Sequence, residues 1–487
     1  MLNANDAQKT ACPDSHPEFS TSRYVRILMT RWSALAVLVS LGAVAVSGQN
    51  AVDETRAREI FKQLVEINTT HSVGSTTTAA EAMAARFKAA GFADVRVLEP
   101  APRKGNLVVR YPGSGTKRPF LLLAHLDVVE AKKEDWSFDP FTLTEKDGFL
   151  YGRGTADDKT MAAVFVANLI RLKFEGYVPS RDIILALTAD EEGGPQNGVK
   201  WLLANHRDLI DAEFAINEGG GGVMRKAKYV TNEVQAAEKV YQDIRLEMKN
   251  SGGHSSLPVK DNAIYRLSAA LARLSAFEFP AQLNDITRAY FQRAAPAQLD
   301  AQTKGDMLAV AKQPMDTAAA ARLSAQSPYF NALMRTTCVA TQLDGGHAPN
   351  ALPQLATANV NCRILPGVPV AAVVTQLTKV LADPAIEVSL VDEATPSMPA
   401  VLRDDVMTAT EAIVTSMFPG VPVVPVMSTG ATDGLHLRNA GIPTFGVDGL
   451  FDDIDDVRAH GRDERVGVKQ FNEDLEFQYR LITALSK

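Results

Sequence analysis

Apolar residues recur along this chain in two alternating rhythms. Ile60, Leu64 and Ile67 fall on one face of a helix. The same period predicts a helix over 77–90, with Gly91 at the position just past its end. Between the helical stretches lie short runs that are almost wholly apolar, at 107–111, 120–124, 183–188 and 214–217. A strand apolar at every position is buried on both faces, as in a parallel sheet covered by helices. Further helices predicted at 160–174 and 199–205 complete an alternation of β and α units, which argues for a mainly parallel α/β sheet.

The rhythm changes after about residue 232. A strand-like stretch at 240–248 precedes a helix at 263–274, and an Ala- and Gln-rich stretch at 280–335 has helical patterning. Strands are predicted within 337–364 and at 386–391, with a helix at 370–381 between them. This reads as an α+β unit of antiparallel strands and helices. From about 395 the α/β pattern resumes with a helix at 404–417, so the second unit is inserted into the first. The expected division is 1–49 as a leader, 50–232 and 395–487 as two parts of one α/β domain, and 233–394 as the insert. A chain of 487 residues has room for such an arrangement. There are no internal repeats.

Composition narrows the class of protein. Hydrophobic residues make up 46% and charged residues 22%, as in a folded globular chain. The net charge of -7, without a basic stripe, argues against a nucleic-acid partner. The three cysteines, Cys12, Cys338 and Cys362, form no C-x-x-C pair, which excludes a thiolate zinc site. Cys338 and Cys362 sit in strand-like runs, where they form either a disulfide, given an oxidising compartment, or two buried free thiols.

The leader has its own pattern. Arg23, Arg26 and Arg31 precede an apolar run at 34–46, and small residues follow at Ala45, Ser47 and Gly48 before Gln49. Basic, apolar, small is the order of a secretory signal peptide. The run is shorter than the roughly 20 residues of a membrane span, so an uncleaved anchor is the weaker alternative. Met29 is an alternative start, and the mature chain is expected to begin near 46–50. The expected location is secreted or periplasmic, with no stable membrane association after cleavage.

Candidate chemistry clusters where strands end. His125 and Asp127 follow the apolar run 120–124, and residues two apart on a strand face the same way. A metal-bound histidine commonly gives its other ring N–H to a carboxylate, so Asp127 could orient His125 or fix the loop. Alone, the pair also reads as a satisfied structural histidine. Asp157, in Gly152-Arg153-Gly154-Thr155-Ala156-Asp157-Asp158-Lys159, stands just before a helix, where it could cap the helix or bridge two cations. Asp190, Glu191 and Glu192 follow strand 183–188 as three adjacent acids that either meet a cation or are solvated. Asn217-Glu218-Gly219-Gly220 follows another strand, and His460 opens His460-Gly461-Arg462-Asp463-Glu464 near the end. Such nitrogen and oxygen donors suit zinc, and less often manganese or cobalt.

The order of these motifs, with Gly252-Gly253-His254-Ser255-Ser256 between the fourth and the last, resembles the dizinc metallopeptidase family M20. That family includes glutamate carboxypeptidase, aminoacylase, carnosinase-type dipeptidase and succinyl-diaminopimelate desuccinylase. The resemblance covers about residues 53–485, and Trp136 with Asp139-Pro140-Phe141 matches the family's loop between the first two motifs. It implies a parallel-sheet zinc-hydrolase catalytic domain with an inserted α+β lid or dimerisation domain, and so a possible homodimer. It implies that His125 and Glu218 bind one Zn2+, that Glu192 and His460 bind the other, and that Asp157 bridges them. Glu191 would then be the general base and Asp127 the residue that orients His125. His254 would donate to the oxyanion, often across a dimer. Asn350 would contact substrate, although Leu352 departs mildly from the family's pattern after it. Arg363 would hold the substrate carboxylate, a task suited to guanidinium; without the family it reads as a surface arginine on a strand. The loop 429–434 matches the family's glycine-rich loop, whose amides could also meet a carboxylate.

The implied activity is hydrolysis of an amide next to a free carboxylate, releasing an amino acid from small peptides. The alternative substrate is an N-acyl amino acid, and the helical insert at 280–335 resembles that of vacuolar carboxypeptidase-like members and their N-acyl amino acid hydrolase relatives. A serine hydrolase would need G-x-S-x-G, which fails at Leu257. A non-catalytic binding protein of the same fold would have lost a ligand or the base, and none is missing.

Overall fold

The run 120–124 is the centre of strand Lys117–His125, which lies parallel between strands Arg181–Thr188 and Ala215–Asn217. In the computed structural model, residues 52–487 are described. The chain divides into a unit ending at Thr55 and a unit Arg56–Lys487, and the sheets and the site belong to the second. The leader and its signal-peptide pattern lie outside the described residues. Alternate side chains of strand Lys117–His125 enter two different cores. Phe120, Leu122 and Ala124 pack on one face of the sheet, and Leu121 and Leu123 on the other. Burying each leucine in this way stabilises the fold by about 1.5–3 kcal/mol.

The large sheet runs in the order Asp94–Leu98, Asn106–Tyr111, Arg181–Thr188, Lys117–His125, Ala215–Asn217, Thr444–Gly446, Lys228–Glu238, Gly221–Arg225, Phe451–Asp453, with Val423–Ser428 paired parallel to Lys228–Glu238. The pairings around Lys117–His125 and Ala215–Asn217 are parallel, and the first two strands join antiparallel. Helix Lys159–Phe174 is buried along almost its whole length. It lies against the C-terminal helix Val468–Leu485, and Asn168 Nδ2 donates to the Leu475 carbonyl at 2.9 Å. Among the described residues no helix is long and apolar enough to cross a membrane.

A second sheet is wholly antiparallel, in the order Thr337–Gly345, Leu355–Ile364, Val240–Lys249, Ile386–Leu390. Helices Ala263–Ser275 and Val370–Leu381 send Leu267, Leu274, Val373 and Leu377 into a separate core with Ile244, Leu246 and Val360. The helices within 285–334 do not join that core. Ile286, Phe291, Met307, Leu323 and Met334 pack into the core of the large sheet, together with Val424, Val426 and Met427. The stretch read as one insert is therefore divided between two cores. An amphipathic pattern reveals a buried face but not the surface it meets.

Cys338 and Cys362 stand opposite each other on adjacent antiparallel strands and form a disulfide. Of the two readings left open by the sequence, the structure takes the bridged one. Replacing both by serine is expected to lower stability by roughly 2–4 kcal/mol. Thermal melts of oxidised wild type and variant will show it, and equal melting temperatures will refute it.

Candidate metal centre

The central strands end on one side, and that edge carries the chemistry. His125 is the last residue of strand Lys117–His125. Strand Arg181–Thr188 leads into Glu191 and Glu192, and strand Ala215–Asn217 leads directly into Glu218. Carboxyl ends of parallel strands are where α/β sheets hold ligands. Asp157 arrives from the turn before helix Lys159–Phe174, and its peptide bond to Asp158 is cis. His460 lies between strands Phe451–Asp453 and Arg465–Gly467, with a left-handed φ of 63°. In the turn before Asp157, Gly154 has φ +84°, and a Cβ there would lie 2.7 Å from Val128 Cγ1. The turn therefore needs glycine on both counts.

Asp157 is the hub of the centre. Its Oδ1 is 2.9 Å from His125 Nε2, and its Oδ2 is 3.0 Å from His460 Nε2. Glu192 Oε1 is 2.9 Å from the same His460 nitrogen. Glu218 Oε1 is 4.0 Å from His125 Nε2. Donor atoms of His125, Asp157 and Glu192 lie within 4.8 Å of one another, and so do those of His125, Glu191 and Glu218. All five expected ligands and Glu191 are thus drawn to one place. His125 is buried, whereas His460 is half exposed, so the cluster opens to solvent on the His460 side. A cavity of about 190 Å³ also adjoins Asp157 and Glu218, with Asp158, Asp448 and Asp474 in its wall.

The charge balance tests whether this set fits a cation. Burial pushes the Glu191 and Glu218 carboxyls well above the usual carboxylate range. Burial acts on Asp157 in the same direction, but hydrogen bonds from His125 and His460 hold it below its ordinary value. Asp157 and Glu192 in turn raise the His460 imidazole to about 10. Burial works against a charge on His125, yet its bond to Asp157 and the nearby Glu218 raise it well above its ordinary value. The two imidazoles face the carboxylates and would offset part of their charge when protonated, and a divalent ion would do so more fully. Glu192 Oε1 is buried with no properly directed hydrogen bond, despite its closeness to His460. The residues fit metal.

Several neighbours hold these groups in place. The expected role for Asp127 was to orient His125, but His125 Nδ1 meets the backbone carbonyl of Asp127 at 2.9 Å, and its carboxylate stands 3.7 Å away. The Asp127 carboxylate instead accepts the amides of Glu191 at 3.2 Å and Glu192 at 3.0 Å. It fixes the acidic loop, the second possibility the motif allowed. Asp190 turns away from the centre to the buried Lys104, 2.5 Å from its Nζ. That contact explains how three adjacent acids coexist. Arg153 and Glu464, to which the motifs assign no role, form a buried ion pair between the Asp157 and His460 loops.

The residues expected to hold substrate lie in the insert. His254 and Ala351 pair across two short strands, and Ser255 N–H donates to the Asn350 carbonyl at 3.1 Å. His254 and Asn350 are therefore neighbours, both exposed, and His254 Nδ1 is 2.7 Å from Ser256 Oγ. Neither is among the groups that surround Asp157. Arg363 stacks over Tyr241 at 4.6 Å and reaches the carbonyl of Thr429 at 3.4 Å. In the glycine-rich loop, Thr432 N–H donates to the buried Glu238 at 3.0 Å and Gly434 N–H to Thr432 Oγ1 at 3.1 Å. Those amides are committed internally. Among the remaining histidines, His206 packs on Trp201 and His71 lies 3.1 Å from Lys104 Nζ.

Nitrogen and carboxylate donors gathered at the strand ends of an α/β sheet, around a carboxylate that faces two histidines, define a metal-dependent hydrolase centre. Residues 121–484 match the profile of peptidase family M20/M25/M40, and the chain belongs to that family. It is 28% identical over 374 residues to human N-fatty-acyl-amino acid synthase/hydrolase PM20D1, covering 75% of this chain and 74% of that protein. It is 27% identical over 382 residues to the probable carboxypeptidase S-like 2 of Dictyostelium discoideum, covering 76% and 72%. Its fold is that of the M20 metallo-carboxypeptidase Sso-CP2 from Sulfolobus solfataricus, with TM-score 0.67 and 15% identity over 88% of this chain and 98% of that one. Human carnosine dipeptidase 1 superposes with TM-score 0.63 and 16% identity, covering 90% and 98%.

Proposed function

We propose that this protein is an exported, zinc-dependent hydrolase that cleaves the amide bond next to a free carboxylate and releases an amino acid from small peptides. The observation that carries this reading is Asp157, whose two oxygens face His125 and His460 at 2.9 and 3.0 Å. A carboxylate so placed suits two ions, one held with His125 and Glu218 and the other with Glu192 and His460. Cobalt or manganese would suit the same donors. When bound, such a pair supplies Lewis-acid polarisation of the carbonyl and a more acidic water.

The chain's own groups account for the remaining steps. Arg363 grips the substrate carboxylate, backed by Tyr241 and the Thr429 carbonyl. Glu191 takes a proton from the attacking water and passes it to the leaving amine. Its amide is pinned by Asp127, which steadies the backbone that carries the base. His254 is the oxyanion donor, from within the chain or from a second copy. Its exposure, and the exposed edge strand Thr337–Gly345, support a dimer built on the insert. The Cys338–Cys362 bridge supports an oxidising, periplasmic or extracellular setting.

A second substrate reading, an N-acyl amino acid, is favoured by the activity named for the PM20D1 relatives. Both substrates present an amide beside a carboxylate. A mass-spectrometric screen of dipeptides, longer peptides and N-acyl amino acids, with and without chelator, separates them. Chelator-sensitive release of C-terminal residues from peptides supports the first reading. Cleavage confined to acylated amino acids supports the second, and turnover that survives complete chelation overturns both.

Arg363→Ala is expected to raise KM by about 10- to 100-fold for substrates with a free carboxylate, in keeping with the loss of a charge-assisted pair. Its kcat should change little. An equal effect on C-terminally amidated substrates will count against the assignment.

A further inference from the structure

Arg153 stands four residues before Asp157, yet its Nη2 donates to the carbonyl of His460 at 3.3 Å. Glu464 stands four residues after His460, yet its Oε1 accepts the amide of Asp157 at 3.2 Å and that of Ala156 at 2.7 Å. Each ion therefore holds the backbone of the ligand on the other loop, while their side chains pair with each other. The Glu464 carbonyl adds a bond from the Gly152 amide at 3.0 Å. Arg153 is sandwiched further by the Trp136 ring at 5.0 Å and the Glu130 carbonyl at 3.5 Å. Both members of the pair are almost wholly buried.

A buried ion pair is a poor device for stability alone, because desolvation offsets most of the attraction and apolar residues often serve as well. A buried pair at this place therefore points to something that apolar packing would not supply. The reciprocal bonds supply it, because they fix the relative position of two loops whose side chains meet at Asp157 Oδ2 and His460 Nε2, 3.0 Å apart. We propose that Arg153 and Glu464 are positioning residues that set the spacing of Asp157 and His460, and thereby the metal affinity of the centre. This inference rests on the reading of the centre as a metal site.

The test compares wild type, Glu464→Gln, Arg153→Met and the double variant Arg153→Met/Glu464→Met. Zinc affinity is measured by competition with a chromophoric chelator. Thermal stability and amide exchange at Ala156 and Asp157 are measured on chelator-treated protein. Glu464→Gln should weaken zinc binding by about 10- to 100-fold, the range for residues that orient a ligand. The double variant, freed of the unpaired buried charge, should regain the thermal stability lost by Arg153→Met. It should still bind zinc weakly and exchange the two amides faster than wild type. Recovery of zinc affinity together with stability in the double variant would overturn the proposal, because the pair would then be only structural. Zinc held equally by wild type and variants would overturn it as well. A wild type that takes up no zinc removes the metal reading itself, a different result from either.

Discussion

Glu191→Gln is expected to leave the metal content unchanged while lowering kcat by about 10²- to 10⁴-fold, the range for loss of a general base. The substitution keeps the size of the side chain and removes only its ability to take a proton. The bond that shapes the loop is unaffected, because Asp127 accepts the backbone amide of residue 191 and not its side chain. KM for a free-carboxylate substrate should stay near the wild-type value, since Arg363 is untouched. The comparison needs kcat, KM and metal content from one preparation. Donor atoms of Glu191 lie in one group with those of His125 and Glu218. Loss of metal in this variant would therefore reassign Glu191 as a ligand, and wild-type turnover would remove it from the chemistry.

Asp157→Ala is expected to have the other large effect. It removes the one carboxylate, among the described residues, whose two oxygens face His125 and His460. Metal affinity should fall well beyond the roughly 10- to 100-fold typical of a residue that merely supports a ligand. Turnover should then be undetectable and not rescued by added zinc at concentrations that saturate wild type. The thermal stability of chelator-treated protein should change much less. Retention of two equivalents of zinc in this variant would exclude Asp157 as the shared ligand.

The central strands and the candidate residues His125, Glu191, Glu192 and Glu218 stood out in the sequence for one physical reason, whereas Asp157 and His460 lie in loops and were singled out by the family resemblance. A strand covered on both faces must be apolar throughout, so runs such as 120–124 stand out, and the polar residues that follow them are conspicuous. Strand Lys228–Glu238 was not separable in this way. Thr231, Asn232, Gln235 and Glu238 are buried polar residues within it, which breaks the alternation. Their burial has a use in the fold. Glu238 holds the Thr432 amide, and Gln235 stands so near Gly219 that a Cβ there would lie 1.9 Å from its Oε1. Strands Thr444–Gly446 and Phe451–Asp453 are too short to show any period. The helices of 285–334 were legible as helices, but which core they join depends on tertiary packing. The Arg153–Glu464 pair joins residues 311 positions apart, and although each lies within a motif, nothing local to either pairs it with the other. Whether Asp127 meets His125 through its carbonyl or its carboxylate is a choice between two atoms of one residue, which spacing does not resolve.

The groups around Asp157 come from chain positions between His125 and His460, and the helix that covers their sheet ends at Leu485. No fragment that ends before His460 contains the whole set. A chain cut short before His460 lacks one side of the centre and also the core residues Phe471, Phe477 and Leu481. On the proposed reading, the centre is completed only once the chain has been carried past His460, so metal uptake would distinguish chains that reach that loop from those that do not.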